Sequence, residues 1–202
     1  MLSGEDGNDL LQGSEDGDWL FGVAGNDTLE GGSGADSLYG GANDDLLMGG
    51  TEADTLIGES GADILSGEDG DDLLQGGADA DWLFGVAGRD TLEGGSGADN
   101  LYGGAEDDRL EGGTGNDMLW GEAGADVFIF ADGSGADTVA DFDPVSGDLI
   151  DLSGHSGATS WAGLSAGLLS QVGNDAVITL GADVITLQDV ALGDLDAGDF
   201  LF

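Results

Sequence analysis

The 202-residue chain sets 43 aspartates and glutamates against two arginines, giving a net charge of −41, and contains no cysteine. Such a polyanion repels nucleic acid and anionic membrane surfaces, which recognise basic patches, and it has no thiol for disulfides or thiolate metal sites. Its natural partners are cations, and with 40% hydrophobic residues recurring at one phase the chain is expected to be disordered without metal and ordered once divalent ions neutralise it.

The chain opens Met1-Leu2-Ser3-Gly4, with neither the basic nor the apolar segment of a cleavable signal peptide. No apolar run reaches the roughly 18 residues of a transmembrane helix, so no membrane insertion is expected. Repeat register begins almost at once, at Gly4. That start suggests a piece of a longer protein with a catalytic or adhesive domain upstream, although a short natural protein is also compatible.

Residues 4–129 divide into fourteen nonapeptides. The sixth position is always aspartate: Asp9, Asp18, Asp27, Asp36, Asp45, Asp54, Asp63, Asp72, Asp81, Asp90, Asp99, Asp108, Asp117 and Asp126. Glycine holds the first position, from Gly4 to Gly121, and the eighth is leucine until Phe128 closes the series. Fixed-period self-similarity of this kind marks a repeat architecture. The copies starting at Gly31, Gly94 and Gly112 read cleanly as Gly-Gly-x-Gly-x-Asp-x-Leu-x. A larger period overlies the small one: residues 4–66 match residues 67–129 at 46 of 63 positions, a duplication of seven nonapeptides.

Past Phe130 the pattern decays, and residues 130–202 are expected to form a separate C-terminal cap. Gly133-Ser134-Gly135-Ala136-Asp137-Thr138-Val139 reads as one degenerate repeat, displaced by a two-residue insertion. Asp141-Phe142-Asp143-Pro144 carries the only proline, and Leu149-Ile150-Asp151-Leu152 is apolar. Residues 154–167 are small and glycine-rich around Trp161, which predicts loop or a short helix. Two β-branched runs, Ala176-Val177-Ile178-Thr179-Leu180 and Val184-Ile185-Thr186-Leu187, flank Gly181-Ala182-Asp183 and predict a hairpin. The chain ends Asp199-Phe200-Leu201-Phe202.

Six positions of each nonapeptide are turn formers, which leaves three, such as Leu10-Leu11-Gln12, for a very short strand. Alternation points the middle apolar residue inward and its neighbours outward. One such strand buries almost nothing, but stacked copies bury a continuous column of leucines. A carboxylate repeated at constant pitch on glycine-rich turns is a ladder of cation sites, and glycine at this density breaks helices.

This pattern resembles the repeats-in-toxin (hemolysin-type) calcium-binding repeat. The resemblance implies an all-β fold: a right-handed parallel β-roll with two nonapeptides per 18-residue coil, two short-stranded parallel sheets, and a C-terminal β-hairpin cap. It implies calcium between successive coils, so that Asp9 faces Asp27, Asp18 faces Asp36 and so on to Asp108 with Asp126, at most twelve sites. The backbone ligands implied on one edge are the carbonyls of Gly22, Ala24, Gly40, Ala42, Gly58, Ser60, Gly76, Ala78, Gly94, Ser96, Gly112 and Thr114. On the other edge they are those of Gly31, Ser33, Gly49, Thr51, Gly67, Asp69, Gly85, Ala87, Gly103 and Ala105. Calcium, a hard cation, takes six to eight such oxygens, and twelve dications would reduce the charge of −41 to about −17.

Departures at the fourth position are Asp16, Asn43, Glu52, Asp79 and Glu106. Glutamate tolerates left-handed backbone poorly, so distorted or weaker sites are expected there, or extra ligation by Asp16 and Asp79. The tail carboxylates Asp141, Asp143, Asp148 and Asp151 are further calcium candidates. The duplication spans three and a half coils, so Trp19 and Phe21 beside Tyr39 should lie on the sheet opposite Trp82 and Phe84 beside Tyr102 and Trp120.

No catalytic constellation stands out. His155 is the only histidine, no Gly-x-Ser-x-Gly elbow surrounds it, no His-Glu-x-x-His motif exists, and no enzyme activity is expected. The acidic-plus-three-apolar ending is similar to that of serralysin-type proteases. That likeness implies type I secretion through an ABC transporter that reads the C-terminus, with the chain unfolded in the cytosol and folding in extracellular calcium. Residues 174–187 are similar to the tails of alginate epimerase R-modules, which keeps open a polysaccharide-binding accessory module. An adhesin or surface-layer segment is the structural alternative.

Overall fold

The computed structural model describes all 202 residues. Each nonapeptide supplies one strand: β1 (Leu2–Asp6), β2 (Leu10–Glu15), β3 (Trp19–Ala24), β4 (Thr28–Ser33), β5 (Ser37–Ala42), β6 (Leu46–Thr51) and β7 (Thr55–Ser60). The duplicated half continues with β8 (Ile64–Asp69), β9 (Leu73–Ala78), β10 (Trp82–Ala87), β11 (Thr91–Gly97), β12 (Asn100–Ala105), β13 (Arg109–Gly115) and β14 (Met118–Ala123). The C-terminal region adds β15 (Val127–Ile129), β16 (Ala136–Val139), β17 (Leu149–Asp151), β18 (Leu169–Val172), β19 (Asp175–Leu180), β20 (Asp183–Leu187) and β21 (Phe200–Leu201).

Alternate strands pair in parallel, so the odd-numbered β1 to β17 build one sheet and the even-numbered β2 to β16 the other. The register is one coil of 18 residues, as in Leu38↔Leu56 and Leu47↔Leu65. This is the parallel β-roll architecture read from the repeat. The strands are six or seven residues long in most coils rather than the three expected. The glycine positions after each leucine also pair with the next coil, for example Gly32↔Gly50 and Ser33↔Thr51, because their backbone groups need partners as much as those of the apolar triplet.

The inward residue of every nonapeptide is buried, and Leu20 through Leu119 and Phe128 have no exposed surface. Each contributes on the order of 1.5–3 kcal/mol relative to an exposed side chain, and the column needs every neighbour to exist. Phe130, Val139, Ile150, Leu152, Ile178, Ile185, Leu187 and Phe200 continue the same cluster into the cap.

The predicted hairpin is present as antiparallel β19 and β20, and β20 docks in parallel on β16. A third antiparallel strand, β18, extends it; its Leu169-Ser170-Gln171-Val172 sequence carries little apolar signal. The terminal β21 pairs with β17 on the other sheet. The ending is therefore an edge strand, but it completes the sheet opposite the hairpin.

The duplicated aromatics fall on opposite sheets as expected. Phe21 and Tyr39 stack at 4.9 Å on β3 and β5, while Phe84, Tyr102 and Trp120 stack at 5.0 and 4.4 Å along β10, β12 and β14. Trp19 and Trp82 flank these stacks and stay 54% and 44% exposed.

Candidate metal centres

The turns that join the two sheets are built by backbone conformation. The second position of all fourteen repeats has positive φ, seven times with a non-glycine residue: Glu5, Ser14, Val23, Glu59, Glu68, Val86 and Glu122. That requirement was not read from the sequence, because glycine fills the position only half the time. The fourth position also has positive φ at Asp16, Asn43, Glu52, Asp79 and Glu106. The expected distortion at the glutamates is absent from the backbone. Glu52 and Glu106 instead reach back one coil, where their carboxylates accept the N–H of Gly34 at 2.7 Å and of Gly88 at 3.0 Å. Asp16 and Asp79 are exposed.

Within each turn the ladder aspartate is held in one orientation. The N–H of Asp9 donates to Oδ1 of Asp27 at 2.8 Å, and this bond repeats without a gap to Asp108 and Asp126, always across 18 residues and at 2.7–2.9 Å. The pairs are those expected from the sequence. From Asp27 to Asp126 these carboxylates are buried. Their second oxygen is not satisfied: Oδ2 of Asp9 and of every ladder aspartate from Asp27 to Asp117 is buried without a hydrogen-bond partner. A buried, unpaired anionic oxygen is costly, and eleven consecutive repeats carry one.

Glycine at the first position makes room for that oxygen. A Cβ on Gly94 would lie 2.6 Å from Asp99 Oδ2 and 2.6 Å from the carbonyl oxygen of Gly112 in the next coil. The Asp-and-carbonyl pair crowds Gly22, Gly31, Gly58 and Gly85 in the same way. The structure therefore brings the first-position carbonyls anticipated from the sequence, Gly40, Gly49, Gly76, Gly103 and Gly112 among them, beside an orphaned carboxylate oxygen. The third-position carbonyls are differently engaged: those of Ala24, Ala42, Thr51, Ala78, Ala87 and Ala105 accept the fourth-position N–H of the preceding coil. Each retains a second lone pair for a cation.

Burial and the neighbouring carboxylates raise the pKa values of the ladder. Desolvation, offset in part by the N–H of the preceding coil's aspartate, pushes Asp54, Asp81, Asp90 and Asp108 up to about 7 and Asp45, Asp63, Asp99 and Asp126 to about 6. No group of three or more histidine, aspartate or glutamate side chains is arranged to hold a metal ion by itself. A cation here must take most of its ligands from backbone carbonyls with one or two carboxylates, a hard all-oxygen set that suits calcium and lacks the nitrogen and sulfur zinc prefers.

A second ladder runs outside the first. At four fifth positions the Asn or Asp Oδ1 accepts the N–H of the same position in the next coil: Asn8 from Asn26, Asp44 from Ala62, Asp71 from Arg89 and Asp107 from Ala125, at 2.9–3.0 Å. The sequence signal was the recurring Asx just before the ladder aspartate.

His155 lies in the cap. Its Nε2 is 3.0 Å from Asp183 Oδ2, its Nδ1 accepts the N–H of Gly157 at 3.0 Å, and Asp132 Oδ1 is 3.2 Å from Nδ1. The nearby Ser156 hydroxyl donates to Asp132 rather than to the imidazole.

Fold and site together define a parallel β-solenoid whose inter-sheet turns form two columns of anionic oxygen cradles. The chain belongs to the RTX calcium-binding nonapeptide repeat family, whose four-copy profile matches residues 1–29, 21–56, 39–74, 48–83, 57–92, 75–110 and 102–139. Repeats of this family bind calcium as structural modules, and the proteins that carry them are typically secreted. No curated protein matches the chain. Among solved structures it is similar to the extracellular lipase LipA of Serratia marcescens, at 20% identity and a TM-score of 0.41, over 97% of this chain and 38% of the lipase. It is also similar to a subunit of the Azotobacter vinelandii mannuronan C5-epimerase, at 25% identity and a TM-score of 0.34, over 80% of this chain and 78% of that one. The chain thus spans well under half the length of the lipase.

Proposed function

We propose that this chain is a calcium-driven folding module, unfolded without the ion and folded on binding it outside the cell, within a larger secreted protein of which it forms the C-terminal part. The observation that carries this reading is the series of buried Oδ2 atoms with no donor, each beside a glycine where any Cβ would collide. Oxygens of this kind raise the energy of the folded chain until a cation joins them. Calcium would be held by successive ladder aspartates and by the first- and third-position carbonyls of the intervening turns. It would supply positive charge at the point where stacked carboxylates repel one another. Because it binds only the folded state, its stabilisation adds site by site through mass action. Low cytosolic calcium would leave the chain extended for a type I transporter, with the terminal Phe200-Leu201-Phe202 as the segment read first.

The decisive experiment is calcium titration followed by far-ultraviolet circular dichroism, with chelator reversal. A coil spectrum in chelator that converts to β on adding calcium is expected. Full β-structure in chelator, with no bound divalent ion, overturns the proposal.

A further inference from the structure

The roll does not end where its nonapeptides end. Two insertions interrupt it: the turn after β15 is displaced by two residues and the next by four, so Asp117 pairs with Asp137 across 20 residues and Asp126 with Asp148 across 22. Both bonds copy the ladder, with N–H of the earlier aspartate donating to Oδ1 of the later one at 3.1 and 3.0 Å. Asp137 and Asp148 are 2% and 4% exposed. By sequence either could extend the column of cation sites or neither.

The two ends differ in what meets the carboxylates. At Asp148, Oδ2 accepts the N–H of Asp143 at 2.8 Å, while the Ser146 hydroxyl, 3.1 Å from Oδ1, has its shorter contact, 2.7 Å, to the Asp143 carbonyl. Asp141 takes the N–H groups of Gly121 and Glu122 at 3.0 and 2.9 Å. Asp183 does the same for Gly133 and Gly135 at the other end, at 2.9 and 3.2 Å, so the difference lies at Asp148, where the Asp143 N–H occupies the oxygen position that has no donor in the ladder. At Asp137 the one backbone donor, the Asp117 N–H, goes to Oδ1: Oδ2 is buried and unpartnered, as is Oδ2 of Asp117 one coil before. The buried Ser134 hydroxyl, close enough to hold the Asp137 carboxyl down against the rise from burial, makes no well-aligned hydrogen bond to it. The backbone around them keeps the regular shape. Gly115 and Gly135 form a parallel bridge, the N–H of Gly115 donates to the Ser134 carbonyl at 2.8 Å, and Gly133 and Gly135 have φ of 87° and 107°.

Resting on the calcium reading above, we infer that the turn of residues 132–137 forms one further cation site, closed by Asp117 and Asp137 with Ser134 beside them, whereas the column on the other edge stops at Asp126 because the Asp143 N–H takes the oxygen of Asp148 that an ion would otherwise meet.

The test counts bound calcium by equilibrium dialysis and atomic absorption on the full chain, with circular dichroism as the monitor of folding. Asp137→Asn is expected to fold in calcium and to hold one ion fewer than the parent, and Asp148→Asn to hold the parental number. An unchanged count in Asp137→Asn, or a lost ion in Asp148→Asn, overturns the inference. Should Asp137→Asn fail to fold, Ser134→Ala decides. It is expected to need several-fold more calcium to fill one ion, and a filling curve identical to the parent's overturns the inference. A parent chain that binds no calcium defeats the underlying reading instead.

Discussion

Asp63 and Asp81 stand one coil apart, both without exposed surface, and the backbone N–H of the first donates to Oδ1 of the second at 2.8 Å. Each keeps a second oxygen that no donor reaches. One hydrogen bond per coil therefore orients a column of like charges that, unaided, works against the fold. Stacking that aligns leucines on the inside also aligns carboxylates in the turns, and only a cation reconciles the two.

Removing one rung tests that coupling. Asp81→Asn keeps the shape but deletes the charge shared with Asp63 and Asp99, and its amide adds a donor where a cation would sit. The calcium concentration at the midpoint of folding is expected to rise several-fold, read by circular dichroism, while Asp194→Asn on an exposed part of the cap leaves it unchanged.

The first-position glycine is a matter of space rather than of φ. Gly94→Ala places a methyl 2.6 Å from both Asp99 Oδ2 and the Gly112 carbonyl, so either the carboxylate or the next coil must move. A larger calcium requirement and weakened protection of backbone amides around coils β11 and β13 are expected by hydrogen exchange. Gly193→Ala, with nothing within 4 Å of the added carbon, is the matched control.

Protons and calcium should compete. Burial raises Asp54, Asp81, Asp90 and Asp108 from 3.8 to about 7 in the folded chain. Between those values the folded state binds more protons than the unfolded one, so metal-free stability grows as pH falls through about 7 and fades as pH climbs past it. Calcium binding displaces those protons, so the midpoint of a calcium titration is expected to move to lower calcium between about pH 5 and pH 8. Midpoints that are flat across that window would contradict buried carboxylates as the ligands.

Core and surface should separate cleanly in saturating calcium. Leu83→Ala opens a cavity in a column with no exposed surface there and should cost about 2–5 kcal/mol in urea unfolding. Trp82→Ser, one residue earlier and 44% exposed, should cost much less, about 1 kcal/mol or below.

The β-roll and its Asp pairs were legible because one residue, the aspartate, occupies its position in every copy and the strand period is short. The buried Leu20-to-Leu119 column follows from the period, whereas the Asp27-to-Asp45 pairing came from the coil length that the family resemblance implies. Harder to read were positions where conformation, not residue type, is conserved through the repeat: Val23 and Val86 adopt positive φ although β-branched residues disfavour it, so composition gave no warning. The contacts of Glu52 and Glu106 with the neighbouring coil were not legible, because they exist only after stacking. The cap was legible as a hairpin from its β-branched runs, whereas β18 and the docking of Phe200 on β17 depend on surfaces that no local pattern encodes.

The duplicated unit contains seven nonapeptides and each coil consumes two, so the chain obeys a parity rule. Copying an odd block leaves the interior indistinguishable, leucine upon leucine, yet moves the decoration of the outside to the reverse face, as Trp19 with Phe21 and Trp82 with Phe84 demonstrate. Growth by such blocks lengthens the molecule steadily while alternating which side each pattern adorns; an even block would have lined both patterns up on a single side.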